Sequence, residues 1–309
     1  MKKLKKMLVP IDGSERALGT VRYISKIKPF HRMHVVLYHV FSAVPEAYWD
    51  LEREPKSVKT VKYVRAWQVE QRKQIEQYLQ QAREILLNSG FAQETVELKI
   101  HNRKKGVARD IIREAQDGYD LVLTRRRGMG ALAGVIIGST AIKLLQGLTS
   151  MPLLLAGRKP PGDKFLVAFD GSPGARRAVD FVAAFLGDYD YQVGLVHVIR
   201  GDGPPETKYK RLFLTEESTT NAKVRIQQAL DQAVAKLVGA GFKPEHVSTK
   251  TITGVVSRAG AIVDEAKEGQ YGTIVLGRRG LSQVQEFFIG RVTNKVLHAA
   301  KDRSVWVIR

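Results

Sequence analysis

The chain has 309 residues, 44% of them hydrophobic and 26% charged, with no cysteine and a formal net charge of +19. That length and composition suit about two ordinary globular domains, and the lack of cysteine excludes disulfides, thiolate catalysis and cysteine-ligated zinc. The charge is uneven, with 28 Lys+Arg against 15 Asp+Glu in residues 1–158 and 22 against 16 in the rest, or +13 and +6. Such a surface can attract nucleic acid, anionic lipid or phosphorylated ligands, and it equally describes helix faces solvated by lysine.

From the N-terminus, the basic start Met1 to Lys6 is followed by only five apolar-leaning residues, Met7 to Ile11, before Asp12. A signal peptide needs a longer apolar stretch. The run Met129 to Ile137 is too short to span a bilayer. A cytoplasmic protein with no membrane partner is expected. Short apolar runs at 7–11, 35–40, 96–100, 121–124 and 153–156 predict strands. Helical stretches fall between them near 15–27, 58–88, 107–117 and 139–148. The longest carries Ile75, Tyr78, Leu79, Ala82, Ile85 and Leu86 at helical spacing and ends at Ser89-Gly90. Gly157 to Asp163, with two prolines and two glycines, predicts a linker. Strands then recur near 165–169, 193–199, 247–252, 273–276 and 304–308.

The second half repeats the first. Val9-Pro10-Ile11-Asp12-Gly13-Ser14 returns as Val167-Ala168-Phe169-Asp170-Gly171-Ser172, and Leu37-Tyr38-His39-Val40 as Leu195-Val196-His197-Val198. Gly128, nine residues and Gly138 return as Gly280, nine residues and Gly290. Two units are expected, residues 1–158 and 164–309. Alternation of strand and helix predicts a parallel sheet with helices on both faces, whose ligands sit beyond the carboxyl ends of the strands.

Two elements in each half could carry chemistry. Asp12 and Asp170 close the first strand, where a carboxylate can bond a ligand or a hydrated metal. Ser14 and Ser172 are expected to cap the helix that follows. After the fourth strand comes a glycine loop, Gly277-Arg278-Arg279-Gly280 to Gly290-Arg291 in the second half and Arg125-Arg126-Arg127-Gly128 to Gly138-Ser139 in the first. Glycines let a backbone approach a phosphate, and the next helix offers free N–H groups. The arginine pairs inside both loops point the same way. His39 and His197 have no acid or nucleophile at diagnostic spacing and are expected to be structural. The remaining histidines form no metal signature.

This combination resembles the universal stress protein family in its tandem form, over essentially the whole chain. The family pattern is Gly, two residues, Gly, nine residues, Gly and Ser or Thr, with Asp at the end of the first strand. The resemblance implies two doubly wound five-stranded α/β domains of strand order 3-2-1-4-5, whose fifth strands pair to form an intrachain pseudo-dimer. It also implies ATP, with or without Mg2+, as ligand. Residue by residue, it places Asp12 and Val40 near adenine, Pro10 along the ribose, and Gly128, Gly138, Ser139 and Thr140 at the phosphates. In the second half Asp170, Val198, Gly277, Gly280 and Gly290 match. Arg125 stands where the first glycine belongs, so its side chain is expected in the ribose-phosphate space. Arg291 stands where Ser or Thr belongs and can pair with phosphate or block it. The second half is therefore expected to be the better nucleotide site.

The function so implied is an adenine-nucleotide-binding stress module without strong catalysis. The alternative is a protein-interaction module, with an unidentified protein partner, that has lost nucleotide binding. Two chains can associate further as a homodimer. With no recognition helix or aromatic RNA motif, at most weak, salt-sensitive nucleic-acid binding is expected. Tyr48, Trp49, Tyr63 and Trp67 are expected to cover the sheet or a partner surface.

Overall fold

Runs such as Met7-Leu8-Val9 become strands whose residues are inaccessible on both sides of the pleat, as a sheet covered by helices on both faces requires. The computed structural model describes residues 5–42, 58–126, 137–200, 216–280 and 289–309. Strands and helices alternate through both halves. The first contains β1 Lys6–Pro10, α1 Glu15–Ser25, β2 His34–Phe41, α2 Val58–Leu87, β3 Val96–Asn102, α3 Val107–Ala115, β4 Leu121–Arg125, α4 Ser139–Gly147 and β5 Leu153–Ala156. The second contains β6 Lys164–Ala168, α5 Pro173–Leu186, β7 Gln192–Arg200, α6 Glu216–Gly239, β8 Val247–Val255, α7 Arg258–Glu268, β9 Thr273–Gly277, α8 Arg291–Ala299 and β10 Ser304–Ile308.

The described strands form one ten-stranded sheet in the order β3-β2-β1-β4-β5-β10-β9-β6-β7-β8. Each half has the order 3-2-1-4-5, and every pairing is parallel except that of β5 with β10. There Leu155, Leu154 and Leu153 oppose Val305, Trp306 and Val307 antiparallel. The fifth strands thus cover each other's edges, which an isolated half would expose.

The core crosses this seam. Helices α1, α2, α5 and α6 pack on one face of the sheet around Leu18, Leu79, Val182 and Leu237. Helices α3, α4, α7 and α8 pack on the other around Ile111, Leu144, Val263 and Val296. Trp306 is fully buried at the centre of the first face. Its ring lies 5.1 Å from Phe165, 5.9 Å from Phe185 and 6.3 Å from Phe30, which comes from the other half. Its indole N–H donates across the seam to the Tyr23 hydroxyl at 2.9 Å. Burial pushes that hydroxyl up to about 12. The backbone N–H of Gly157 donates to the Ser304 hydroxyl at 3.0 Å. A Cβ on Gly157 would lie 2.3 Å from the Asp302 carbonyl oxygen, so only glycine allows this approach.

The long helix α2 buries Leu79, Ala82 and Leu86 as its spacing predicts. Tyr63 and Trp67, near its start, are exposed. Tyr48 and Trp49 lie outside the described residues.

Candidate functional site

In each half the first and fourth strands are neighbours, yet their following helices leave to opposite faces. Helix α1 follows β1 onto the face with α2, and α4 follows β4 onto the face with α3. The carboxyl ends of β1 and β4, and of β6 and β9, therefore border a crevice at a topological switch point.

The aspartates open this crevice. Asp12 accepts the Ser14 backbone N–H at 3.1 Å and its hydroxyl at 2.6 Å. Asp170 Oδ1 accepts the Ser172 N–H at 3.0 Å. The turns depend on Gly13 and Gly171, with φ of 78° and 74°, a region that suits glycine. Ser14 and Ser172 cap α1 and α5, accepting the backbone N–H of Ala17 and Ala175 at 3.3 and 3.2 Å. His39 Nδ1 donates to the Ile11 carbonyl at 2.9 Å, and His197 Nδ1 to that of Phe169 at 2.8 Å. These bonds hold the strand ends in place, as expected of structural histidines. Burial pushes His39 below the ordinary histidine value, against the opposing effects of the Ile11 bond and Asp12.

The glycine loop closes on the aspartate in the second half. A Cβ on Gly280 would sit 2.6 Å from Asp170 Oδ2. A Cβ on Gly290 would lie 3.3 Å from the Arg278 carbonyl and 3.6 Å from Gly280 N. Gly290 N donates to the Arg278 carbonyl at 2.9 Å and starts α8 with no side-chain cap. The first half repeats this, with Gly138 N on the Arg126 carbonyl at 2.8 Å and an uncapped α4. Uncapped helix starts offer free N–H groups to an anion. Ser139 is exposed at the start of α4, with Thr140 half-buried beside it. Arg291 is exposed at the start of α8. Gly128 lies outside the described residues.

Strand alternation sorts the remaining candidates by face. Val40 and Val198 belong to the core layer of α3, α4, α7 and α8. Pro10, two residues beyond Leu8 of that layer, shares the face. Pro10 and Val40 thus line the same side as the start of α4. Arg125 does not. It is two residues beyond Leu123, which belongs to the opposite layer, and its guanidinium lies over α1. A Cβ on Gly19 would be 2.1 Å from Arg125 Nη1. The side chain expected in the ribose-phosphate space folds instead onto the first helix. The steric reason for ranking the second half above the first goes with it. Gly277 has a related explanation, since a Cβ there would lie 2.5 Å from the backbone of Gly174. Its close approach is to α5. The two halves pack differently here: Arg125 lies on Gly19, whereas Gly277 approaches Gly174 and Arg177, at the position of Gly19, donates to the Arg309 carbonyl.

The loop arginines turn inward as well. Arg278 is 6% exposed and Arg126 is 3% exposed. Arg278 donates to the Leu148 carbonyl at 2.9 Å and to that of Gln146 at 3.3 Å, at the C-terminal end of α4 in the other half. Arg126 reciprocates by donating to the Ala300 carbonyl at the end of α8. Each arginine thus joins the halves by satisfying the last carbonyls of a helix. Their repetition in the sequence marks this shared seam rather than a pair of phosphate ligands.

Comparison with known proteins accords with this geometry. The universal stress protein family model matches residues 3–155 and again 162–309. The chain belongs to the universal stress protein family, in its tandem form. A universal stress protein of Mycolicibacterium smegmatis is 23% identical over 312 residues, covering 95% of this chain and 94% of its own. The Bacillus subtilis universal stress protein YxiE is 27% identical over 139 residues, 43% of this chain and 90% of its own. The crystal structure of a universal stress protein from Archaeoglobus fulgidus superposes with a TM-score of 0.61 at 17% identity, covering 98% of both chains. That likeness supports the tandem universal stress protein fold over the full length. No helix among the described residues is long and apolar enough to cross a membrane.

Proposed function

We propose that this tandem universal stress protein binds ATP in the cytoplasm, one molecule at the carboxyl edge of each half, and acts as a binding module without strong catalysis. The observation that carries this reading is the close approach of Gly280 to Asp170, where a Cβ would lie 2.6 Å from the carboxylate, with Gly290 packed on the backbone of Arg278 to Gly280. Glycine thus keeps the aspartate, the loop backbone and the start of α8 close together at the carboxyl edge of β6 and β9. Bound ATP would present an adenine to Val198 or Val40 and phosphates to the uncapped starts of α8 or α4. Asp170 or Asp12 would bond the nucleoside, Pro10 would line the ribose in the first half, and Ser139 and Thr140 would face the phosphates. Arg291 can pair with a phosphate in the second half. Mg2+, where present, would be held chiefly by the phosphates and water. Among the described residues no three His, Asp or Glu side chains converge to hold a metal. The reading of a non-enzyme rests on the histidines nearest the aspartates, whose Nδ1 atoms are committed to backbone carbonyls.

Calorimetry of ATP binding tests this. Two sites per chain are expected, with Gly280→Val or Asp170→Ala removing one and Gly138→Val or Asp12→Ala removing the other. Unaltered binding in all four variants would place the nucleotide elsewhere. No binding by the wild-type chain at millimolar ATP would leave the interaction module as the surviving alternative.

A further inference from the structure

Arg125 has no counterpart in the second half, and its surroundings are unusual for a half-buried cation. Its guanidinium rests on Gly19 of α1. Arg16 lies three residues earlier on the same helix, so it adjoins Gly19 on the helix surface. Arg125 pairs in register with Ala156 of β5, and Arg158 follows Ala156 by two residues. Arg16 and Arg125 therefore adjoin on the α1 side of the carboxyl edge of β4, and Arg158 of the interdomain linker lies near them with its Nε and Nη2 committed to Asp302. Burial, with Arg16 and Arg158 nearby, pushes the Arg125 guanidinium below its ordinary value, and Asp12 acts the other way. Arg158 is neutralised by Asp302 at 2.6 Å. Among the described residues, Arg16 and Arg125 make no such ion pair.

Like charges held together on a rigid edge repel each other, and Asp12 and Asp302 offset part of that repulsion. The positions equivalent to Arg16 and Arg125 in the second half are Gly174 and Gly277, which pack backbone to backbone. The cationic cluster is therefore specific to the first half, which also carries +13 of the chain's +19. Guanidinium groups present paired N–H donors that match the oxygens of a phosphate group, and they bind it more strongly than a neutral donor does.

We propose that Arg16 and Arg125, with Arg158 beside them, form an anion site for a phosphate group on the α1 side of the carboxyl edge of the first half. The group belongs to free phosphate or to a small polyphosphate. This site does not depend on the nucleotide reading, because Arg125 points away from Pro10, Val40 and the start of α4.

The test is calorimetry of the full chain with inorganic phosphate and, separately, inorganic pyrophosphate at low and at 0.5 M chloride, in the presence of saturating ATP. Saturable binding of one anion per chain is expected, weakening as chloride rises because exposed charges are screened. Arg125→Met and Arg16→Met keep the apolar stems and should each weaken it about tenfold, leaving circular dichroism and ATP affinity unchanged. Tighter binding of pyrophosphate would identify a polyphosphate source, and equal affinities a single phosphate group. The proposal is overturned if the wild-type chain binds neither anion, or if both variants bind within twofold of wild type. The Gly138→Val, Gly280→Val double variant repeats the measurement without the nucleotide crevices. Loss of anion binding there, with Arg16 and Arg125 intact, would also overturn it.

Discussion

Replacing Arg278 by methionine should loosen the seam between the halves without touching the nucleotide crevice. The wild-type guanidinium donates to Leu148 O at 2.9 Å and Gln146 O at 3.3 Å from an environment only 6% exposed. Hydrogen bonds from an ionised donor contribute about 1.5–3 kcal/mol each. The 3.3 Å contact lies near the long limit and counts for less. A cation at a helix C-terminus adds about 0.3–1 kcal/mol. Removing the cation also recovers part of its desolvation cost, while leaving two carbonyls short of a donor. The net loss should be about 2–3 kcal/mol. Equilibrium urea unfolding, followed by tryptophan fluorescence and far-UV circular dichroism, would measure it, with ATP titrations on the same samples. A loss below about 0.5 kcal/mol together with tenfold weaker ATP binding would show that Arg278 serves a phosphate, and the assignment to the seam would be wrong.

Trp306→Ala should cost about 3–5 kcal/mol, since it empties the aromatic centre shared by both halves and removes the indole donor from the Tyr23 hydroxyl, which keeps its bond to Thr273. Thermal unfolding would register this, and an unchanged midpoint would contradict a common core. Gly277→Ala should destabilise by about 1–3 kcal/mol through the clash with Gly174, whereas Arg125→Gly should cost only about 1 kcal/mol or less. Equal costs in urea unfolding would contradict this difference in packing between the halves. His39 supplies a pH dependence. Burial lowers its folded-state value below the ordinary 6.5, so the unfolded chain takes up the proton first. Its contribution to stability is complete above about 6.5 and is lost as pH falls toward the folded value. His39→Gln should flatten the slope of stability against pH below 6.5, and an unchanged slope would assign that dependence to other groups.

Local chemistry fixed much of this protein. The apolar runs made the inner strands within a residue or two of where they were expected, because a strand buried on both faces must be continuously apolar, while the exposed edge strand β8 runs three residues further, to Val255. Ser14 and Ser172 cap their helices because a short hydroxyl side chain after Asp-Gly can reach the backbone N–H three residues on. The repeated Asp, His-Val and glycine-loop segments were enough to indicate the family and the strand order. Side-chain direction was another matter. Whether Arg125 enters the crevice or crosses to the first helix depends on the pleat of β4 and on the space left by Gly19, more than 100 residues away in the chain. The repeat held a clue, since glycine and arginine trade places between Gly19 and Arg177 and between Arg125 and Gly277. Without the helix laid on the strand, nothing linked the two trades. Arg126 and Arg278 are alike in this respect. Their carbonyl partners come from the opposite half and exist only once β5 and β10 have paired, so tertiary structure alone turned two apparent phosphate ligands into struts between the halves.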